Sequence, residues 1–315
     1  MLYKFMNTWF HHSLLFGTHR FFKRADIIKA SDVALYRAKH LGKGTVHYFT
    51  SSLNQEYQQH VSLLAALQAG IEKNAFYFNY QPRFELSTGK LLGFEALARW
   101  NDATIGQVPP DQFIRLAEKE GLIIKLGTQL LQQFFEPVQY WNNHYPKAQL
   151  KYAVNISPSQ LSNPEFVRSL ISVIRSYQIP FNCIEFELTE SLFSEDGKQL
   201  EETLNEIHEL GIQFAIDDFG TGYSCLSRLN MLPIDILKID RSFVDKLSFE
   251  HDGSAIIRSI LALSESLKLD VIAEGIETKE QADLLIQLSC KQGQGYYFSK
   301  PLDPADAEKL IKNIA

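Results

Sequence analysis

IEFELTESLFSEDGKQLEETLNEIHELGIQFAIDD, residues 184–218, holds one complete unit of the fold. Ile184–Thr189 and Ile212–Asp218 are short runs rich in β-branched and aromatic residues, which suits buried strands. The stretch 197–210 between them is amphipathic at helical spacing. Strands joined through a helix pair in parallel, because a hairpin turn cannot return the chain to the same end of the sheet. Further strand candidates lie on both sides: Phe76–Gln81, Leu91–Arg99, Lys151–Ser157, Ile234–Asp240, Leu269–Glu274 and Gly293–Phe298. Helix candidates fall at 111–119, 126–143, 163–178, 223–230, 253–267, 277–289 and 303–314. Eight strands alternating with about as many helices over roughly 250 residues predict a closed α/β barrel of the TIM (β/α)8 type. The link 83–90, RFELSTGK, is too short for a helical crossover and reads as a hairpin, so the barrel has an irregular, partly antiparallel start.

The region before the barrel has a different texture. Residues 23–50 carry a helical pattern ending at Gly42, then a strand-like run from Thr45 to Phe49. Residues 51–61 are polar and suit a linker or the start of a helix, and residues 1–22 match no pattern. The expected division is therefore 1–22 unassigned, 23–50 a short helical extension, 51–61 a linker and 62–315 the barrel.

Composition narrows the function classes. The 315 residues are 45% hydrophobic and 22% charged, with 37 acids against 31 Lys and Arg and a formal net charge of −6. That balance gives no general DNA or RNA surface. Cys183, Cys225 and Cys290 are widely spaced with no CxxC pair, so neither a zinc site nor a disulfide framework is expected. Met1–Phe22 is interrupted by Lys4, His11, His12, His19 and Arg20. It offers no membrane span of about 18 apolar residues and no signal-peptide core, and a cytoplasmic location is expected.

A barrel carries its site at the C-terminal ends of its strands. Those ends hold Glu95 and Arg99, Asn155, Glu187, Asp217 and Asp218, Lys238 and Asp240, Glu274, and Gln294 near the last strand. Each has a structural explanation: a Glu95–Arg99 ion pair, turn capping by Asn155, helix capping around Thr189 near Glu187, Lys238 neutralising Asp240, Glu274 favoured by a helix dipole. Together, however, five carboxylates in one mouth repel one another and resist burial. A hard divalent cation resolves that conflict, with Asn155 as a neutral oxygen ligand. Adjacent Asp217 and Asp218 suit two ions, the usual clamp for attack on a phosphoryl group. Residues 217–226, DDFGTGYSCL, add a glycine-rich loop able to approach a phosphate, although without the Lys and spacing of a P-loop.

These residues fall in seven linked motifs: EALARW at 95–100, NISPSQL at 155–161, ELTES at 187–191, DDFGTGYS at 217–224, LKID at 237–240, AEGIE at 273–277 and QGYYFSKP at 294–301. In this order, over roughly residues 62–315, they resemble the EAL-domain family. The resemblance implies a modified TIM barrel that hydrolyses cyclic di-GMP to linear pGpG with Mg²⁺ or Mn²⁺. By it, Glu95, Asn155, Glu187 and Asp217 hold one metal, and Asp217 and Asp218 the second. Glu274 is the base or water-orienting group, and Lys238 steadies the water and the phosphate. Gln81, Arg99, Asp240, Glu277 and Gln294 match positions near the substrate. Glu190 matches a glutamate that controls the loop after Ile212–Asp218, near the contact of a homodimer formed through the barrel.

Cys225 and Arg228 stand where the family usually has a serine and an aromatic residue; Arg83 and Ile276 read as ordinary replacements. ASDVALYRAKHLGKGTV at 30–46 resembles the last helix and turn of a GGDEF domain whose signature is missing, so 23–50 reads as a remnant without cyclase activity. The alternative reading is a non-catalytic cyclic di-GMP-binding module that signals through a protein partner; its mark would be a lost metal ligand, and none is lost. A Mg²⁺-dependent barrel acting on a sugar or an enolate fits the carboxylates but leaves Lys238, the glycine loop and the motif order unexplained.

Overall fold

The computed structural model describes residues 33–34, 50–194, 198–220, 226–229, 231–247 and 254–314. The expected GGDEF remnant and residues 1–22 lie almost entirely outside the described residues. The chain divides into two units, 1–69 and 70–315. Helix α1, Ser51–Glu72, takes in the polar stretch 51–61, which is therefore the start of a helix, one of the two readings its sequence allowed.

The second unit opens with the antiparallel pair β1 (Phe76–Glu85) and β2 (Leu91–Asp102), joined by a turn in which Gly89, at φ 71°, donates its N–H to the Glu85 carbonyl. The ladder takes in Arg83 and Phe84, and Glu85 pairs with Gln292 on the other side of β1, although all three had read as the link. β3 (Gly106–Val108) is a short hairpin partner on β2 that the sequence pattern did not show. Helices α2 (Pro110–Lys119) and α3 (Ile123–His144) lead to β4 (Lys151–Asn155).

After β4 come α4 (Pro158–Leu161), α5 (Pro164–Ser176) and β5 (Ile184–Thr189). Then α6 (Lys198–Glu209), β6 (Gln213–Phe219), α7 (Leu226–Leu229), β7 (Ile236–Ile239), α8 (Arg241–Val244) and α9 (Ser254–Leu267) follow. β8 (Asp270–Ala273), α10 (Lys279–Gln287), β9 (Gln292–Gly293) and α11 (Pro304–Lys312) complete the chain.

Pairing runs β1-β9-β8-β7-β6-β5-β4-β2 and returns to β1, so eight strands close into a barrel, with β1 antiparallel to both its neighbours and the others parallel. The predicted fold class, including its irregular start, is what the chain adopts. Strands covered on both faces should be apolar throughout, and β5 and β7 are buried along almost their whole length. Inside the barrel, Ala215, Ile236 and Ile272 pack together. The larger core, with Phe134, Phe135, Trp141, Leu170 and Phe186, fills the space between strands and helices.

The closing strand is shorter than expected. Gly293–Phe298 reads as a strand by its aromatic content, yet the ladder stops at Gly293. The next residues fold back on the Ile276 backbone: Ile276 N–H donates to the Gln294 carbonyl and Tyr297 N–H to the Ile276 carbonyl. A Cβ at Gly295 would fall 2.1 Å from the Ile276 oxygen, so this approach needs glycine.

Candidate metal centre and ligand cleft

Strand alternation aims Glu95, Asn155, Glu187 and Lys238 into the barrel mouth. Alternation alone would send Asp217 and Asp218 to opposite faces. The β6–β7 register shifts between Ile216 and Phe219, and Asp218 sits at φ 54°. This bulge re-aims the pair, and Asp218 N–H donates to Asp217 Oδ1 at 3.0 Å. Two triads of carboxylate oxygens result, each within 4.8 Å: Glu95, Glu187 and Asp217, then Asp217, Asp218 and Glu274. Asp217 belongs to both.

Lys238, 1% exposed, stands at the centre. Its Nζ lies 2.7 Å from Glu187 Oε2, 2.7 Å from Glu274 Oε1, 3.1 Å from Asp217 Oδ1 and 3.4 Å from Glu95 Oε2. Asn155 Nδ2 donates to Glu95 at 3.2 Å and to Glu187 at 3.1 Å. Gln294 Nε2 donates to Glu274 at 3.0 Å and also to Glu95.

One ammonium thus serves four carboxylates, with Asp218 adjacent. Burial and then Glu95 push Glu187 well above the usual carboxylate range, against the pull of Lys238. Burial also pushes Glu274 well above it, Lys238 again opposing and Asp217 and Glu95 adding to the rise. Burial, Asp217 and Asp240 push Asp218 up to about 6. Glu95 goes the other way, since Lys238 and its hydrogen bonds outweigh burial. For Lys238, burial is outweighed by Asp217, Glu187, Glu274 and Glu95, so its charge is held tightly. Hard oxygen donors that converge with surplus negative charge are the donor set of a hard divalent cation. The residues present therefore fit a divalent-metal site, and the shared Asp217 fits a pair of ions.

Beside this cluster opens a cleft of about 230 Å³, lined by Gln81, Glu95, Leu97, Glu274, Glu277 and Gln294, with Arg241, Gly275, Gly295 and Tyr296 on its remaining walls. The EAL-domain family model matches residues 64–301, three quarters of the chain and all the strands of the barrel. The chain belongs to the EAL-domain family. It is 34% identical over 294 residues to the bifunctional diguanylate cyclase/cyclic di-GMP phosphodiesterase MucR of Pseudomonas aeruginosa, an alignment covering 93% of this chain and 42% of that protein. It is 36% identical over 274 residues to the oxygen sensor protein DosP of Escherichia coli, covering 86% of this chain and 34% of DosP. The chain thus spans between a third and a half of these relatives' length. Among solved structures it resembles the PaMucR phosphodiesterase in its c-di-GMP complex, with a TM-score of 0.73, 34% identity, and coverage of 79% of this chain and 99% of that one.

Within this EAL domain, the expected metal ligands Glu95, Asn155, Glu187, Asp217 and Asp218 meet at one mouth with Lys238 and Glu274. Gln81, Glu277 and Gln294 line the adjoining cleft. Arg99 and Asp240 do not: Arg99 donates to the Ala98 carbonyl at 2.9 Å, and Asp240 caps α8 by accepting from Ser242 N–H. The simple explanations fail for several residues. Glu95 pairs with Lys238 rather than Arg99, and Ser157, not Asn155, caps α4. Glu190 Oε2 accepts from Gly220 N–H at 3.3 Å, tying the end of β5 to the start of the glycine loop, whose residues 221–225 lie outside the described residues. Arg228 donates to the Phe193 carbonyl at 2.7 Å.

Two residues escaped the sequence reading. Arg83 is no ordinary replacement: it is 4% exposed and forms a two-pronged ion pair with Glu185 at 2.6 and 2.8 Å. Both residues sit two positions from site residues on their strands, Gln81 and Glu187, so they share the inward face beneath the metal cluster. Arg241 lines the cleft from a four-residue helix too short to show any period.

Proposed function

We propose that this EAL domain is a metal-dependent phosphodiesterase that hydrolyses cyclic di-GMP to linear pGpG. The observation that carries the reading is the pair of carboxylate triads sharing Asp217 around a buried lysine. Glu95, Asn155, Glu187 and Asp217 would hold one Mg²⁺ or Mn²⁺, and Asp217 with Asp218 a second. Bound there, such ions supply Lewis-acid stabilisation of the phosphoryl oxygens and acidify the attacking water. Glu274, whose carboxylate burial raises well above the usual range, would accept a proton from the attacking water. Lys238 donates to the charge that builds on the phosphoryl oxygens as the 3′ oxygen leaves. Gln294 holds Glu95 and Glu274 together, which orients the base relative to the metal ligands.

The c-di-GMP in the PaMucR structure supports the choice of substrate. The alternative, a receptor without turnover, has no observation in its favour, because every ligand position carries an acid or Asn155. Incubation of the purified chain with cyclic di-GMP and Mg²⁺, with nucleotides separated by chromatography, should yield pGpG. Turnover that persists after exhaustive chelation would overturn the mechanism.

The alignment with a bifunctional cyclase/phosphodiesterase over 93% of this chain supports reading 23–50 as the end of a GGDEF domain. Among the described residues no helix is long and apolar enough to cross a membrane. We read the chain as cytoplasmic and as a homodimer through the barrel, with the Glu190–Gly220 contact beside the dimer surface; light scattering at two protein concentrations tests the assembly.

A further inference from the structure

Among the described residues, the cleft's lining contains three carboxylates, Glu95, Glu274 and Glu277, and one basic residue, Arg241. Its about 230 Å³ is below the roughly 300 Å³ at which pockets begin to enclose whole drug-sized ligands, so it accepts one part of a dinucleotide. Arg241 is held there by two contacts. Its Nη2 lies 2.8 Å from Glu277 Oε1, and its Nε lies 3.1 Å from Asp245 Oδ2. Its stem rests against Gly275, which is at φ 67°; a Cβ there would come within 2.3 Å of Arg241 Cγ. A side chain at 275 would thus displace the arginine, so that glycine serves Arg241 as well as the turn. The guanidinium remains half exposed, with a fork of donors beside the Glu277 carboxylate.

A carboxylate beside a guanidinium is a matched acceptor–donor set. Guanine presents N1–H and N2–H₂ donors next to O6 and N7 acceptors, and arginine pairs with O6 and N7 in two-pronged fashion. Adenine places a donor, N6–H₂, where guanine has O6, and would leave a guanidinium unsatisfied. Resting on the functional reading above, we propose that Arg241 is a specificity residue of the cleft: it donates to O6 and N7 of one guanine while Glu277 accepts from the same base's N1–H and N2–H₂. Tyr296, 54% exposed on the cleft wall, gives the base a ring to lie against.

The test is steady-state kinetics of the full chain with Mg²⁺ on cyclic di-GMP and on cyclic di-AMP, for the wild type, Arg241→Met and Arg241→Lys. Melting temperatures establish that the variants are folded. A lost charge-assisted hydrogen bond is worth roughly a factor of 10 or more in affinity. Arg241→Met should therefore raise KM for cyclic di-GMP about tenfold or more, leave kcat within about threefold, and shrink the guanine preference by the same factor. Arg241→Lys, which keeps the charge but replaces the planar fork by a point ammonium, should fall between. An unchanged KM overturns the proposal, as does a loss confined to kcat. An equal loss on both dinucleotides overturns it too, because it would show that Arg241 serves the phosphates rather than the base. A folded wild type that neither binds nor cleaves cyclic di-GMP overturns the functional reading itself, and the proposal with it.

Discussion

Replacing Lys238 by Met removes the cation from the centre of the carboxylate cluster while nearly keeping the side chain's volume, so the effect reads out charge rather than a cavity. Four carboxylate oxygens lie within 3.4 Å of Nζ, and the residue is 1% exposed. At an effective dielectric near 20, each such pair attracts by about 5 kcal/mol, but the acids repel one another and the lysine's desolvation opposes the gain. Removing one partner of a buried pair has a measured cost of about 3–5 kcal/mol, which is the net figure to expect in metal-free protein. For a domain of this size that is a fall in Tm of roughly 6–20 °C.

The loss should depend on pH. Without the ammonium, Glu187 and Glu274, already raised by burial, climb further and retain protons that the unfolded chain releases near pH 4. The native state then binds more protons than the unfolded one, so the variant's stability falls as pH rises through neutrality. In the wild type, the raised Lys238 keeps its charge and its contribution throughout that range; that contribution fades only as pH rises past the lysine's own titration. Thermal or urea denaturation in chelator, at about pH 5.5 and 7.5, measures both effects. A loss below about 1 kcal/mol, or one equal at the two pH values, would refute the claim that Lys238 neutralises the cluster.

Asp217→Asn takes a charge from both triads and should lower kcat by at least about 10³-fold. The same change relieves repulsion, so the metal-free Tm should stay level or rise; a collapse of the fold would contradict the placement of Asp217 at the mouth. The raised Asp218, Glu187 and Glu274 make metal-free wild type lose stability as pH climbs from about 4 through 6 and beyond. The Tm gain on adding saturating Mg²⁺ should accordingly grow over that interval, and a gain constant with pH would disprove the linkage. Arg83→Met should destabilise by about 3–5 kcal/mol, since it leaves Glu185 buried and unpaired, whereas Arg83→Met with Glu185→Met should recover most of that loss. Calorimetry of Arg83→Met, Glu185→Met and the double variant decides, and additive losses in the double variant would show that the two side chains are not coupled.

What the sequence displayed and what it hid divide along one physical line. Ile184–Thr189 was legible to the residue because a strand buried on both faces has one solution, a continuous apolar run broken only by inward functional groups. Lys238 was legible as a cation at a strand end but its partners were not: Asp240, two residues on, was the acid in view, and Nζ instead meets Glu187, Glu274, Asp217 and Glu95 from four other strands or their ends. Asp217 and Asp218 were legible as candidate ligands by chemistry and not by geometry, since alternation places neighbours on opposite faces, and the bulge that joins them depends on the register with β7. Arg83 was missed because Gly89 marks a turn but not how far the ladder extends before it. The partner that makes Arg83 tolerable, Glu185, is distant in sequence. Gly275 and Gly295 complete the pattern: each owes its lack of a side chain to a close neighbour, Arg241 for one and the Ile276 backbone for the other. A single sequence shows a glycine in both places and the neighbour in neither. Positions set by the chain's own local chemistry were therefore readable, and positions set by what another strand brings against them were not. The second kind includes the register of the two aspartates on which the proposed chemistry depends.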